Sequence, residues 1–496
     1  MTASTPYIQL MEHLKSTEAL SQISQLLSWD QEAAMPKRGA EARSEQVGAL
    51  ESVLHAKRTD PRIADWLNAA EDGDLSPAEQ ANLRLTRLSY ERAVKVPAAL
   101  AEELSKVTSR AVGVWSEAKD NSDFKHFEPT LKRILELSRE RAACLRHDGQ
   151  SLYDALLDEY ELGASESSVS DIFGRLRTGL TKLRAQIEEK TGQEPQLKGH
   201  FPQQAQLALS KELATGFGYD VDAGRIDLVV HPFCSGTRGD VRITTRVDER
   251  DPLNCLYSTI HETGHALYEQ GLNPDLAWQP AGGHASMGVH ESQSRLCENQ
   301  IGRSLAYSQY LYPKMVETFG ALTVADSTEL YQALNVVSPG FIRTEADEVH
   351  YNLHIMLRFE LERLLINGAL EVSDLEAAWN DRFEADFGRK VPGASNGILQ
   401  DVHWAFGGFG YFPTYTLGNI YAGCLYAALR NDFNDFDDLV RNGDLKPVVA
   451  WLREKIHVQG SVHEPADMMM AATGKSPDEK PLLAYLNTKF GELYNL

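Results

Sequence analysis

Along roughly the first 190 positions, apolar residues return every three or four places, which is the spacing of an amphipathic helix. The stripe is clearest in Ile172, Leu176, Leu180, Leu183 and Ile187, after Ser168. Ser168 with Asp171 three residues on reads as a capping box, so a helix is predicted to start there. Another is expected to begin around Pro129, a residue suited to a first helical turn, with Leu131, Ile134 and Leu135 on one face. Between Thr191 and Gln204 the periodicity fails while Gly192, Pro195, Gly199 and Pro202 accumulate, which marks a loop. Beyond it, Ile226-Asp227-Leu228-Val229-Val230 and Val241-Arg242-Ile243-Thr244-Thr245 have the β-branched content of short strands, and Gly236 and Gly239 between them predict a hairpin. From Pro252 helical patterns resume, including an apolar stretch from His354 to Ile366 that stops near a capping Gly368. The expected fold is mostly α, a large helical body with a small β-hairpin or sheet.

A chain of 496 residues exceeds the size at which one core stops growing, about 250–300 residues. Two subdomains around a cleft are therefore expected: an N-terminal helical region, 1–200, and a region 201–496 that carries the chemistry, the two forming one continuous unit. With 42% hydrophobic and 24% charged residues the chain is ordinary for a globular protein. Its 71 acidic against 49 basic residues give a formal charge of −22, which argues against nucleic acid or an anionic membrane as a partner. The five cysteines, Cys144, Cys234, Cys255, Cys297 and Cys424, contain no CxxC pair and read as reduced thiols of a cytosolic protein. The start Met1-Thr2-Ala3-Ser4-Thr5 has no basic segment leading into an apolar one, and no apolar run approaches 20 residues, so neither secretion nor membrane spanning is expected.

The strongest chemical signal is His261-Glu262-Thr263-Gly264-His265, an HExxH motif. On a helix, histidines four apart share a face and can bind one zinc ion, with the glutamate beside them as general base. The flanks, Leu256 to Ile260 and Ala266 to Tyr268, are apolar enough for the half-buried helix that a water-excluding site requires. Gly264 costs about 1 kcal/mol of helix propensity, so it should serve close packing or ligand approach. A catalytic zinc needs a third protein ligand. The metzincin pattern fails, because Tyr268 and Gly271 stand where it needs glycine and histidine. The next ligand-rich patch is His290-Glu291-Ser292-Gln293-Ser294-Arg295, on a second helix that a turn through Gly282 and Gly283 can fold back, and there both His290 and Glu291 qualify.

Further motifs follow in order: His231-Pro232-Phe233, Asp240-Val241-Arg242-Ile243-Thr244, Ile342-Arg343-Thr344-Glu345-Ala346-Asp347 and Gly397-Ile398-Leu399-Gln400-Asp401-Val402-His403-Trp404. Together with the two metal-type motifs they make the sequence resemble the thermostable carboxypeptidase Taq family of zinc metallocarboxypeptidases. The resemblance implies His261, His265 and Glu291 as metal ligands and Glu262 as general base. It also implies a mostly helical, dimeric, cytoplasmic hydrolase with its site at the floor of a long groove, acting with broad tolerance on peptides that have a free C-terminus. One divalent metal per chain is expected, Zn2+ by default, and Co2+ or Mn2+ also suits such ligands.

An exopeptidase must hold the substrate's terminal carboxylate, for which arginine's planar fork is suited, and the resemblance gives that role to Arg343. Viewed alone, Arg343 can equally pair with Asp347 on a helix surface. His403 or Tyr411 can donate to the tetrahedral intermediate, and His231 or Arg242 can line the pocket. An Asp401-oriented His403 would be a reasonable proton donor. The run Phe406-Gly407-Gly408-Phe409-Gly410-Tyr411-Phe412-Pro413 can form a mobile loop over the groove or a tight aromatic turn, and the loop is the expectation. The competing functions are a zinc endopeptidase or dipeptidase with the same chemistry, and a non-catalytic peptide- or zinc-binding protein.

Overall fold

The computed structural model describes residues 5–71, 74–190 and 195–496. Among the described residues the chain is mostly helical with one three-stranded sheet, in keeping with the mostly α expectation. No helix among the described residues is long and apolar enough to cross a membrane. Two compact units interleave along the sequence. One comprises Met1–Val94, Pro195–Leu334 and Cys424–Pro477, and the other Lys95–Glu194, Asn335–Gly423 and Asp478–Leu496. This partition differs from a division at residue 200, because contacts remote in sequence draw the first 94 residues into the unit that holds the HExxH helix. Asn82, for example, donates to Gln279 Oε1 at 2.7 Å and accepts from the Ala281 amide at 2.8 Å. Part of the predicted joint, 191–194, lies outside the described residues, and the next helix is Gln203–Phe217.

In the first unit the strands are β1 (Gly224–Leu228), β2 (Cys234–Thr237) and β3 (Asp240–Thr245), in the order β1-β3-β2. The predicted hairpin is corrected: β1 runs parallel to β3, with Ile226 opposite Ile243, and the antiparallel partner of β3 is β2, with Cys234 opposite Ile243. The β2–β3 turn is too short for anything but a tight reversal, with Thr237 opposite Asp240 and Arg238 at φ 53. Gly236 is required there: its φ is +92, and a Cβ would lie 2.0 Å from the Asp240 carbonyl oxygen. Val241 and Ile243 are fully buried with Ala214, Tyr219 and Ala266, so the inner face of the sheet seats the HExxH helix.

That helix, Pro252–Gly271, begins with Pro252 at its first position and the Asp251 carboxylate accepting from Leu253 N at 3.1 Å. Cys255, Leu256 and Ile260 are fully buried. Gly264 serves close packing, since a Cβ there would meet Gln293 O at 2.4 Å and Ser294 Cα at 2.5 Å. Those atoms belong to the second helix, Met287–Arg295, whose N-cap Ser286 accepts from Val289 N at 3.0 Å. The helix continues into a wider, π-type turn, Leu296–Ile301.

In the second unit the stripe helix spans Glu166–Glu188 and starts earlier than predicted, because Ser165 and Ser168 cap each other reciprocally and Asp171 takes no part. It buries Val169, Phe173, Leu176, Leu180, Leu183 and Ile187. Pro129 lies inside a helix, Phe124–Leu145, that begins five residues before it, and Leu131, Ile134 and Leu135 are buried as expected. The central helix of this unit is Glu348–Ile366, followed by Gly368 at φ +79.

Candidate active site

His261 and His265 project from one face of the HExxH helix, and the adjacent helix brings up Glu291. Glu291 Oε2 lies 3.7 Å from His261 Nε2 and 3.3 Å from His265 Nε2, and the three ligand-type atoms fall within 4.8 Å of one another. A tetrahedral ion with bonds of about 2.0–2.2 Å has ligand–ligand edges of about 3.4 Å, so this donor set fits a zinc-like ion. His290, the other candidate from sequence, stands behind His265, with its Nδ1 2.5 Å from His265 Nδ1. Each of the three converging groups is held from outside. His261 Nδ1 is 2.8 Å from Glu298 Oε2, and Glu291 accepts from Arg295 Nε at 2.6 Å and Ser294 Oγ at 3.0 Å. Such supports fix the rotamer and tautomer of a ligand before an ion arrives.

Burial would raise the Glu291 carboxyl, but Arg295 and the two histidines hold it well below the usual carboxylate range. His265 is pushed down to about 3, chiefly by burial, which leaves it neutral with a lone pair to give. Glu262 is buried beside them. Burial pushes its carboxyl up to about 7, with His261 opposing and Glu291 and Glu298 adding to the rise. Its proton affinity thus sits where a general base working near neutrality needs it, and a nearby cation would draw it down.

In the second unit Arg343 occupies a short 3-10 turn, Arg343–Glu345, and is buried. Its Nε and Nη2 donate to Asp401 Oδ1 at 3.0 and 2.7 Å, and Nη1 reaches Tyr351 OH at 3.3 Å. The alternative pairing with Asp347 is not made. Asp347 instead caps the Glu348–Ile366 helix, accepting from Val349 N and His350 N. Asp401 also accepts from Arg358 Nε at 2.6 Å through its other oxygen. Two guanidiniums therefore share one carboxylate. Burial pushes His403 down to about 4, and His354 is held well below its ordinary range by burial and then Arg358, so neither carries charge at neutral pH. Glu362, coupled to Arg358, is pushed by burial up to about 7 and only partly offsets the surplus. The cluster is electropositive and suited to an incoming anion.

The family model described as carboxypeptidase Taq (M32) metallopeptidase matches residues 9–490. The chain belongs to that family. It is thus a metallocarboxypeptidase, a peptide-bond hydrolase that uses a divalent metal. It is similar to thermostable carboxypeptidase 1 of Thermus thermophilus, 40% identical over 511 residues and 100% of both chains. Carboxypeptidase 1 of Bacillus subtilis is 36% identical, with 98% of each chain covered. The crystal structure of the M32 carboxypeptidase from Deinococcus radiodurans R1 matches with a TM-score of 0.96 at 38% identity, covering 99% of this chain and 100% of that one.

Other features of the enzyme depart from expectation. His403 is not oriented by Asp401, whose two oxygens are taken by the arginines. Its Nε2 lies 3.3 Å from Tyr415 OH, and its ring packs on Phe412 at 4.4 Å. Tyr411 packs edge-on against Tyr160 and Tyr415 at 5.1 and 5.3 Å. The glycine-rich run is a packed aromatic turn rather than a mobile loop. Gly410 N donates to buried Glu362 at 3.1 Å, Trp404 Nε1 to the same carboxylate at 2.8 Å, and Phe409 and Phe412 are buried. His231 is exposed, and Arg242 pairs with Asp240 at 2.8 Å with its guanidinium over the Trp29 ring. Sequence reasoning missed Glu298 and Arg358. Glu298 lies on the π-type turn seven residues after Glu291 and three after Arg295, a helical spacing that could have found it. Arg358 announces itself as a cation within an apolar helix, where an unpaired charge would be very costly.

Proposed function

We propose that the enzyme removes residues one at a time from peptide C-termini with broad side-chain tolerance, as a cytoplasmic homodimer carrying one zinc ion per chain. His261, His265 and Glu291 hold the ion, which when bound supplies Lewis acidity toward water and the scissile carbonyl. Glu262 accepts the proton of the attacking water and returns it to the leaving amine. Arg343, with Arg358 sharing its counter-ion, engages the substrate's terminal carboxylate and so sets the cleavage register. His403 and Tyr411 border the same aromatic surroundings and are assigned to substrate contact, with His403 acting as a neutral ring. His231 and Arg242 have no part in this reading. The observation that carries it is the approach of one Glu291 oxygen to the Nε2 atoms of His261 and His265 at 3.7 and 3.3 Å, the three ligand-type atoms lying within 4.8 Å of one another, with Glu262 beside them. The dimer and the compartment rest on the family resemblance and, for the compartment, on the five cysteines, which include no CxxC pair.

The test is mass spectrometry of an unblocked peptide of about ten residues and its C-terminally amidated copy, each with and without chelator. Stepwise C-terminal losses from the free peptide alone, abolished by chelation, support the reading. Internal cuts in both peptides would overturn the role of Arg343.

A further inference from the structure

Three ionisable side chains behind the proposed metal ligands take no part in the reaction above. Glu269 stands one turn after His265 on the HExxH helix, His290 immediately precedes Glu291, and His284 lies on the connection between the two helices. Glu269 Oε1 is 3.0 Å from His284 Nδ1 and 3.1 Å from His290 Nε2. The far nitrogen of His290, Nδ1, is 2.5 Å from His265 Nδ1, and the two rings meet edge to edge, their planes inclined by 28° and their centroids 4.6 Å apart. His265 Nε2 meanwhile faces Glu291. A continuous row thus runs from the metal side of His265 through His290 to a buried carboxylate.

By composition Glu269, His284 and His290 could themselves hold an ion, but proton counting opposes it. A neutral imidazole has one N–H and one lone pair. When His265 gives its Nε2 lone pair to a metal, its proton sits on Nδ1. At 2.5 Å, His290 Nδ1 must then accept that hydrogen bond, so the His290 proton is on Nε2 and points at Glu269. A lone pair at His290 Nε2 for a second ion would set two N–H groups against each other.

We propose that His290 and Glu269 are positioning residues for the metal ligand His265, a carboxylate–imidazole relay that fixes its tautomer and ring plane and raises its basicity, and that excludes a second ion from the Glu269–His284–His290 trio while the first is bound. The idea rests on His265 being a metal ligand. It extends the familiar carboxylate–histidine–metal arrangement by one interposed ring.

The experiment measures zinc dissociation constants of the full chain by competition with a fluorescent chelator, together with zinc stoichiometry by native mass spectrometry and melting of the metal-free forms. Glu269→Ala and His290→Ala should each weaken zinc by about 10–100-fold. His290→Gln, whose amide can accept from His265 and donate to Glu269, should recover most of that loss, and His284→Ala should leave affinity unchanged. Glu269→Gln serves if the alanine variant does not fold. The native chain should bind one zinc. Unchanged affinity in a folded Glu269 variant would overturn the relay, as would a second zinc lost in His284→Ala. Full zinc affinity in His265→Ala would instead sink the ligand assignment itself.

Discussion

Replacing Arg343 by methionine isolates the carboxylate-binding step, because the cluster it leaves is still charge-balanced. Asp401 keeps its 2.6 Å bond from Arg358 Nε, so one guanidinium faces one carboxylate where two did before. The usual 3–5 kcal/mol penalty for orphaning a buried ion should therefore be largely avoided, and the variant should fold. What is lost is the surplus positive charge and a bidentate donor for the substrate. Two charge-assisted hydrogen bonds at about 1.5–3 kcal/mol each amount to about 3–6 kcal/mol of binding. At about 1.4 kcal/mol per tenfold, kcat/KM toward a blocked dipeptide with a free carboxylate should fall by about 150- to 20,000-fold. The assay compares that value with Asp347→Asn, which removes the carboxylate beside His350 Nδ1 while its amide oxygen can still cap the helix, and which should stay within about threefold. A folded Arg343→Met variant that retains its activity within threefold would refute the assignment, and equal losses in both variants would show that the site responds to local stability rather than to charge.

Glu262→Gln should keep its metal, measured by elemental analysis, while kcat drops by about 10²–10⁴-fold; parallel loss of metal would mean that Glu262 supports the ligands instead of the water. Gly264→Ala should lower the melting temperature, since the new methyl meets backbone at Gln293 and Ser294 and overpacking of about 1–3 kcal/mol outweighs the roughly 1 kcal/mol gained in helix propensity. A higher melting temperature would contradict that packing. Glu362, pushed by burial up to about 7 from near 4.5, binds its proton more tightly folded than unfolded. Its contribution is therefore fully present below about pH 4.5 and is lost as pH rises through about 7, roughly 3 kcal/mol in all. Denaturant titrations of Glu362→Gln across that range should show a flatter pH dependence than the parent, and an identical slope would refute the shift.

The helical character and the pairing of His261 with His265 were legible because a helix with 3.6 residues per turn places residues four apart on one face whatever surrounds it. The choice between His290 and Glu291 was not, since neighbours in sequence point to different sides of a helix and only the packing at Gly264 decides which meets the histidines. Strand content was visible in Ile226 and Val241, but pairing was not. Cys234-Ser235-Gly236-Thr237 carries little β-branched signal, and its place in the sheet comes from the tight turn at Arg238. Ser165 and Ser168 offer similar caps in sequence, and the reciprocal bonds between them put the N-cap at the earlier one. Asp401 was noticed as part of a motif, yet its role between Arg343 and Arg358 depends on contacts 58 and 43 positions apart. No local pattern encodes those.

The most direct measurement is the anomalous scattering of a zinc-loaded crystal at the zinc absorption edge. A single peak bounded by His261 Nε2, His265 Nε2 and the Glu291 carboxylate is the predicted result. A peak at Glu269, His284 and His290, or no peak within reach of His261 and His265, would contradict the account.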